Sequence, residues 1–355
     1  MAPRPLKADA SPDHRPQLGV AVVGLGVGEE HVRAFLAEPR CRLTWLHDLD
    51  RERSRRAADR MGAPGVAVGA PRVADRFEDV LRDPATHVVS IASYDDAHAE
   101  QVVAALEAGK HVFVEKPLCR NPVELSAIRR AWARAPDRHL ASNLVLRGAP
   151  LWRWLRESIA AGRLGRIYAF DGDYLYGRIE KITEGWRKDV VDYSVIQGGG
   201  IHLVDLMLWL TGERPCTASA AGNRLSTEGT AFRYPDFVAA TYTFPSGLVG
   251  RVTANFGCVH RHQHVVRVFG TEGTFLYDDR GPRLHSSRSP ESPPTEVGLA
   301  PLPPTKGVLI GDFVRRIDQG GPVEQGARLD LDDLAVCFAT DRALAAGHSV
   351  PIEYP

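Results

Sequence analysis

The stretch Gly198-Gly-Gly-Ile-His202-Leu-Val-Asp205 sets an imidazole and a carboxylate three residues apart. Leu203, Leu206, Met207, Leu208 and Leu210 follow at helical spacing and Gly212 ends the run, which predicts a helix with His202 in its first turn. Asp205 then shares a face with His202, and the two could point together into one cleft. The three glycines leave room for a ligand against the backbone. A plainer arrangement uses the same residues: a helix start at which His202 and Asp205 only satisfy backbone groups. A second candidate is Lys116, delivered with Glu115 and Pro117 by the short apolar run His111 to Val114. The chain favours arginine, with Lys7, Lys110, Lys116, Lys181, Lys188 and Lys306 its only lysines. Lysine is the compact cation whose pKa burial can tune. Pro117 would fix the turn that aims it, a cis bond being one way to do so.

These groups need elements to hold them. From Leu18 the chain reads as a buried strand, then Gly24, Gly26 and Gly28, then a helix through Val32, Phe35 and Leu36. This is the strand, glycine turn and helix of a dinucleotide-binding unit: Gly24 makes the tight turn, Gly26 admits a pyrophosphate to the backbone, and the helix presents its amides. Glu29 stands where a third glycine is usual and Gly28 comes one residue early, so a shortened turn is expected. A strand from Arg42 to Leu46 leads to Asp48, about twenty residues past the turn, where an acid accepts from the adenosine ribose hydroxyls and repels an added phosphate. NAD is therefore expected over NADP, with Arg51 the nearby group able to pair with a phosphate. The alternative for Asp48 is a cap on the helix from Asp50 to Met61. Strands from His87 to Ser93 and from His111 to Val114, separated by a helix from Ala97 to Ala108, continue the alternation of a parallel sheet. Lys116 falls at the carboxyl end of such a strand, where ligands bind in open parallel sheets.

The glycine turn followed by His31, the Asp48 strand end, the run from Ala104 through Gly109-Lys-His-Val-Phe-Val-Glu-Lys-Pro117, and Gly198 to Leu206 resemble the Gfo/Idh/MocA family of NAD(P)-dependent oxidoreductases. The resemblance covers nearly the whole chain after residue 17, and Glu-Lys-Pro is its specific part. It implies a Rossmann domain followed by an α+β domain with a large open, mostly antiparallel sheet that mediates homodimers or homotetramers. The substrates it implies are sugars, cyclitols or sugar nucleotides. On this resemblance Lys116 and His202 are the catalytic pair, and Gly24, Gly26, Val27, Gly28, Asp48, Ser93, His98, Glu115 and Lys116 meet the cofactor. Lys116, Arg147, Tyr176, Trp186, Arg187, Asp192, Tyr193, His202 and Asp205 then face the substrate. One departure stands out: the family commonly has an aspartate four residues before the histidine, and this chain has Gly198. Asp205, Asp192 or Tyr193 must then orient His202, with Asp205 the favoured one. Without an acid, the helix start and Lys116 should lower the His202 pKa.

After about Asn143 the alternation stops. A helix from Leu151 to Ala161, a strand from Arg166 to Tyr174, and period-two strands at Phe237 to Phe244, Leu248 to Ala254, Val265 to Phe269 and Thr274 to Tyr277 predict an antiparallel or mixed sheet. The expected division is a disordered tail over 1–17, a Rossmann domain over 18–143, and an α+β domain over 144–355 that closes with a helix from Asp330 to Gly347. Tyr176 to Gln197 form a long irregular connection, in which Trp186 could stack on a sugar ring and Arg187 could bond hydroxyls or a phosphate. Both also suit plain packing. His260, His262 and His264 alternate, so three imidazoles share a face that could hold a metal. With no cysteine or carboxylate alongside, a solvated or interface face is expected, and no metal. Residues 281–306, rich in proline and serine, are expected to form a mobile excursion.

At 355 residues, with 44% hydrophobic and 25% charged residues and zero net charge, the composition is that of an ordinary folded enzyme or binding protein, with no nucleic acid or membrane partner. The five cysteines are scattered and suggest neither a disulfide framework nor a zinc site, so a cytoplasmic location is expected. The expected activity is a dehydrogenase or ketoreductase moving hydride between NAD and a secondary alcohol or ketone of a carbohydrate-like substrate. His202 takes the hydroxyl proton and Lys116 stabilises the oxygen's developing charge. Two other functions suit the same fold: a lyase or hydrolase that keeps NAD bound and oxidises its substrate transiently, and a catalytically silent NAD or sugar sensor.

Overall fold

The computed structural model describes residues 16–61, 70–320 and 323–354. The tail expected over 1–17 lies, up to residue 15, outside the described residues. Strands β1 Leu18–Val23, β2 Cys41–His47, β3 Arg72–Val73, β4 Val88–Ile91, β5 His111–Val114 and β6 Leu140–Ser142 form a parallel sheet in the order β3-β2-β1-β4-β5-β6. Helices α1 Gly28–Leu36, α2 Arg51–Met61, α3 Phe77–Arg82, α4 His98–Glu107 and α5 Pro122–Ala133 supply the crossovers. The strands read as unbroken apolar runs because both faces are covered. On β1, Val20 and Val22 join one core cluster while Ala21 and Val23 join the other. The strand order reverses between β1 and β4, and a crevice opens at the carboxyl ends there.

The second half holds α6 Pro150–Ala160, β7 Ile167–Leu175, α7 Glu180–Thr183, α8 Ile201–Thr211, β8 Thr217–Asn223, β9 Phe237–Thr243, β10 Val249–Asn255, β11 Gln263–Gly270, β12 Thr274–Asp278, β13 Gly281–His285, β14 Thr295–Glu296, α9 Ile310–Gln319, α10 Val323–Ala346 and β15 Val350–Pro351. Nine of these strands form a mixed sheet, β14-β13-β12-β11-β7-β10-β9-β8-β15, in which only β7 and β10 pair in parallel. Its inner face packs on α8 and α10: Gly172 of β7 lies against Leu203, and Tyr242 of β9 shares a hydrogen bond with Thr340 at 2.8 Å. The opposite face carries the half-buried ion pairs of Arg251 with Asp171 and Asp173 and of Arg267 with Asp173.

Two expectations need correcting. Residues 281–306 are not one excursion, because β13 and β14 extend the sheet and residues 302–306 reach back to the crevice. The division at residue 143 also assigns α9 to the wrong core: Ile310, Phe313 and Val314 pack with Val20, Val22 and Phe35 in the first domain.

Helix α8 is apolar on nearly every side, which marks a helix enclosed by protein. His202 and Asp205 are its buried polar residues, and burial of a carboxylate requires a partner. The chain after β6 makes a tight 3₁₀ turn, Val145–Gly148, that inserts Arg147 among Asp205 at 2.6 Å, Asp330 at 2.9 Å and Asp333 at 3.1 Å. Arg147 and Asp205, both expected to face the substrate, instead tie the first domain's last strand to α8 and α10. One guanidinium cannot neutralise three buried carboxylates. Burial raises the Asp205 pKa to about 6 and, with repulsion from Asp205, raises that of Asp333 well above its ordinary value. The folded state therefore holds protons that the unfolded chain releases near pH 4, and this contribution to stability, complete below that pH, is lost as pH rises through 6 and beyond. Asp333→Asn, neutral at all pH, should melt about 2–4 °C above the wild type at pH 8, with the gap closing toward pH 5. Calorimetric scans across that range check it, and a gap independent of pH would show that the cluster is fully ionised.

Candidate active site

The glycine turn has the shape a dinucleotide needs. Gly24 sits at φ +81°, where a Cβ would also come within 2.4 Å of the Ala92 carbonyl oxygen, so only glycine fits. Gly26 faces open space, and Gly28 lets α1 approach Val22 and Ala92 closely. Asp48 accepts a hydrogen bond from the Leu25 amide at 2.6 Å and one from the Asp50 amide at 2.9 Å, which fixes its carboxylate beside the turn. The cap of α2 is Asp50, whose carboxylate accepts from the Glu52 and Arg53 amides. Arg51 pairs with Asp75 at 2.6 Å, while Arg53 lies 3.4 Å from the Asp48 carboxylate. Ser93 donates to Gln101, while the ring nitrogens of His98 lie 2.7 Å from the Pro117 carbonyl and 3.1 Å from that of Ser93. His98 thus ties the end of β4 to the Lys116-Pro117 turn, which contains a cis peptide.

From this turn a cavity of about 750 Å³ runs between the two sheets, reaching from Gly26 and Val27 past Lys116 to His202, Tyr176 and His264. Glu115 at its edge lies 3.1 Å from His31 Nε2 and accepts from Asn143 Nδ2 at 2.7 Å. Burial pushes the Glu115 carboxyl upward, but His31, Asn143 and the Lys116 charge outweigh it and hold the pKa at about 2. Asn143 also donates to the Lys306 carbonyl at 2.8 Å, so one amide joins β5, β6 and the returning 302–306 segment. Lys116 Nζ donates to the Gly198 carbonyl at 2.9 Å. Burial lowers its pKa; Arg187 and Lys306 add to that effect while Asp95 and Glu115 oppose it.

His202 is buried, and its Nδ1 has no partner among the described residues. Burial first, then Lys116, His264, His262 and Lys306, hold its pKa well below the usual imidazole value. The helix-start argument does not supply this shift, because a π-helical turn, Ile196–Gly200, runs directly into α8 and His202 lies inside the helical stretch. The glycines make room for protein as well as ligand. A Cβ on Gly198 would lie 2.2 Å from Tyr193 Oη, and one on Gly199 would lie 2.3 Å from the Tyr174 ring. Tyr193 thus fills the space beside Gly198, its hydroxyl buried and without a hydrogen-bond partner among the described residues. Asp205 is turned to Arg147, and Asp192 is exposed at φ +57° with its amide donating to Tyr234. Neither replaces the absent acid. Tyr176 and Arg187 line the cavity, whereas Trp186 stands beside Tyr94, outside its lining.

Sequence reading missed several lining residues. The pairing of β11 with β7 puts His264 opposite Tyr174 on the inner face, so His264 is buried in the cavity rather than solvated. His262 stands 4.9 Å from it, ring to ring, and His260 turns outward to Asp279. Period two had placed all three on one face, but β11 begins only at Gln263. Among the described residues no group of three histidines, cysteines or carboxylates is disposed to hold a metal. Asn143, Tyr174 and Lys306 also line the cavity and carried no local signal, and Arg178, one of the basic residues of the irregular connection, lines it too.

Residues 18–141 match the oxidoreductase family with an NAD-binding Rossmann fold, and residues 152–276 match the GFO/IDH/MocA C-terminal domain. The chain belongs to the GFO/IDH/MocA family. It is an oxidoreductase whose cofactor is NAD. Levoglucosan dehydrogenase of Pseudarthrobacter phenanthrenivorans is 27% identical over 86% of this chain and 90% of the relative. Inositol 2-dehydrogenase 3 of Saccharopolyspora erythraea is 24% identical over 94% and 95%. Among solved structures, levoglucosan dehydrogenase in complex with NADH superposes with a TM-score of 0.80 at 24% identity, covering 96% of this chain and all of that one, a likeness of fold. No described helix is long and apolar enough to cross a membrane.

Two outcomes follow from this geometry. NADP should bind about tenfold or more weakly than NAD, since its phosphate meets the fixed Asp48 carboxylate, and equal dissociation constants by calorimetry would remove that role. Gly198→Asp should destabilise the fold by about 1–3 kcal/mol through collision with Tyr193, and a second change, Tyr193→Ala, should recover part of the loss. Additive effects in denaturant unfolding would show that the two positions do not share the space.

Proposed function

We propose that the chain oxidises a secondary alcohol of a sugar or cyclitol to the ketone with NAD as acceptor, or catalyses the reverse. The carrying observation is that half-buried Lys116 and buried His202 line one cavity that begins at the glycine turn. NAD, when bound, accepts the hydride. Gly26 and the first turn of α1 would receive its pyrophosphate, and Asp48 its adenosine ribose. With His202 Nδ1 sealed in protein, Nε2 is the nitrogen left to take the hydroxyl proton as the carbon gives up hydride. Lys116 would exchange its bond to the Gly198 carbonyl for one to the reacting oxygen and stabilise the charge that develops there. Glu115, locked by His31 and Asn143, keeps the lysine turn in place. The stacked rings of Tyr176 and Phe256, 4.4 Å apart, offer an apolar wall for a sugar ring. The polar outer face of the second sheet would receive further copies in a homodimer or homotetramer.

Lys116→Met and His202→Asn should each reduce single-turnover hydride transfer about a hundredfold or more while leaving the NAD dissociation constant within a few-fold of wild type. Near-normal transfer in either variant would overturn the assignment. A general base must be unprotonated to act, and the His202 pKa lies below 6.5, so kcat/KM for oxidation should hold level through neutral pH and fall only below that value. NADH should accumulate in equal amount with the ketone, which separates a dehydrogenase from an enzyme that returns the hydride before product leaves.

A further inference from the structure

The charged groups of the cavity are unbalanced. Lys116, Arg178, Arg187 and Lys306 line it, four cations against two carboxylates, Glu30 and Glu115. Both carboxylates are engaged elsewhere, Glu30 with Arg33 and Glu115 with His31 and Asn143. Several buried or half-buried arginines elsewhere in the second domain have carboxylate partners: Arg147 has three aspartates, Arg251 two, and Arg214, Arg267 and Arg283 each have at least one. Arg178 and Arg187 form no ion pair among the described residues. Each instead lies over an aromatic ring, Arg178 at 4.5 Å from the Tyr176 centroid and Arg187 at 4.6 Å from that of Trp186. Arg187 Nε is buried without a hydrogen-bond partner among the described residues, a donor that costs free energy until something accepts from it. Asp95 acts on Lys116 and Arg187 through space but pairs with neither.

The cofactor accounts for only part of this charge. Residues 306–307 cross the start of α1, where a Cβ on Gly307 would meet Ala34 and the Glu30 carbonyl, so Lys306 stands on the pyrophosphate side. Arg178 follows β7 and Arg187 lies on the connection to α8, both beyond Lys116 in the second domain. A neutral sugar would leave these two guanidiniums without an anionic partner in a partly desolvated space. A carboxylate or phosphate oxygen matches their forked donors.

We propose that the polyol taken by this site carries an anionic group, a carboxylate as in a sugar acid or a phosphate ester as in a sugar phosphate, held by Arg187 and Arg178 while the reacting hydroxyl lies between Lys116 and His202. The inference rests on the dehydrogenase reading in making this ligand the substrate; as a statement about binding it stands without turnover. Burial first, and neighbouring cations second, lower the pKa values of Lys116, His202 and His264.

The test uses the full chain saturated with NADH and calorimetric titration with three probe classes: a neutral hexose, a hexuronate and a hexose 6-phosphate. At least one anionic probe should bind tenfold or more tightly than the neutral one, and which does so identifies carboxylate or phosphate. Its affinity should fall with added salt, while that of the neutral probe should not. In Arg187→Met the anionic-to-neutral affinity ratio should fall about tenfold or more, and Arg187→Lys should restore part of it. The wild-type panel and its salt dependence stand even if the Met variant fails to fold. Neutral probes binding as well as both anionic ones, or an anionic preference unmoved by salt, would overturn the proposal. Charge-selective binding with no NADH formed from any alcohol would leave it standing and sink the dehydrogenase reading instead.

Discussion

Two basic side chains that line one partly desolvated cavity disfavour each other's charge, and the crevice between the sheets depends on that constraint. Lys116 and His202 come from different domains and meet where solvent is scarce. Desolvation first and neighbouring cations second lower both pKa values, and the imidazole, whose ordinary value is the lower, is the group that gives up its proton first. A proton acceptor and a cation side by side are what oxidation of an alcohol calls for.

The architecture is arranged to maintain this pair. The parallel sheet ends β5 at the crevice, and Glu115, His31, Ser90 and Asn143 form a hydrogen-bonded brace beneath the lysine turn. On the other side, the π-helical turn before α8 widens the backbone enough for Tyr193 and Tyr174 to lie against bare glycines. The Arg147 cluster holds β6, α8 and α10 in register, so the distance between Lys116 and His202 depends on a buried ion cluster that touches neither. Its excess of carboxylates makes that junction sensitive to pH for the same reason that His202 is neutral: burial favours the uncharged form.

The glycine turn, Asp48 and the Glu-Lys-Pro turn were legible in the sequence because each is local. Its chemistry lies within a few residues of a strand end, and a parallel sheet presents strand ends on one side. The apolar periodicity likewise determined the two-part architecture and α8, since patterns of period 2 and 3.6 report burial of a face directly. The partners of the buried polar groups were undetermined. Asp205 lies three residues from His202 in sequence, yet its carboxylate answers to Arg147, because a helix enclosed on all sides gives neighbours along one face different surroundings. His260, His262 and His264 were expected to share a face, but the strand starts at Gln263 and the register with β7 decides which imidazoles turn inward. Asn143, Arg178, Lys306 and the space filled by Tyr193 beside Gly198 arise from segments far apart in the chain. Only the tertiary structure brings them to one cavity, since long-range strand register and helix packing, rather than spacing along the chain, set which charges face each other.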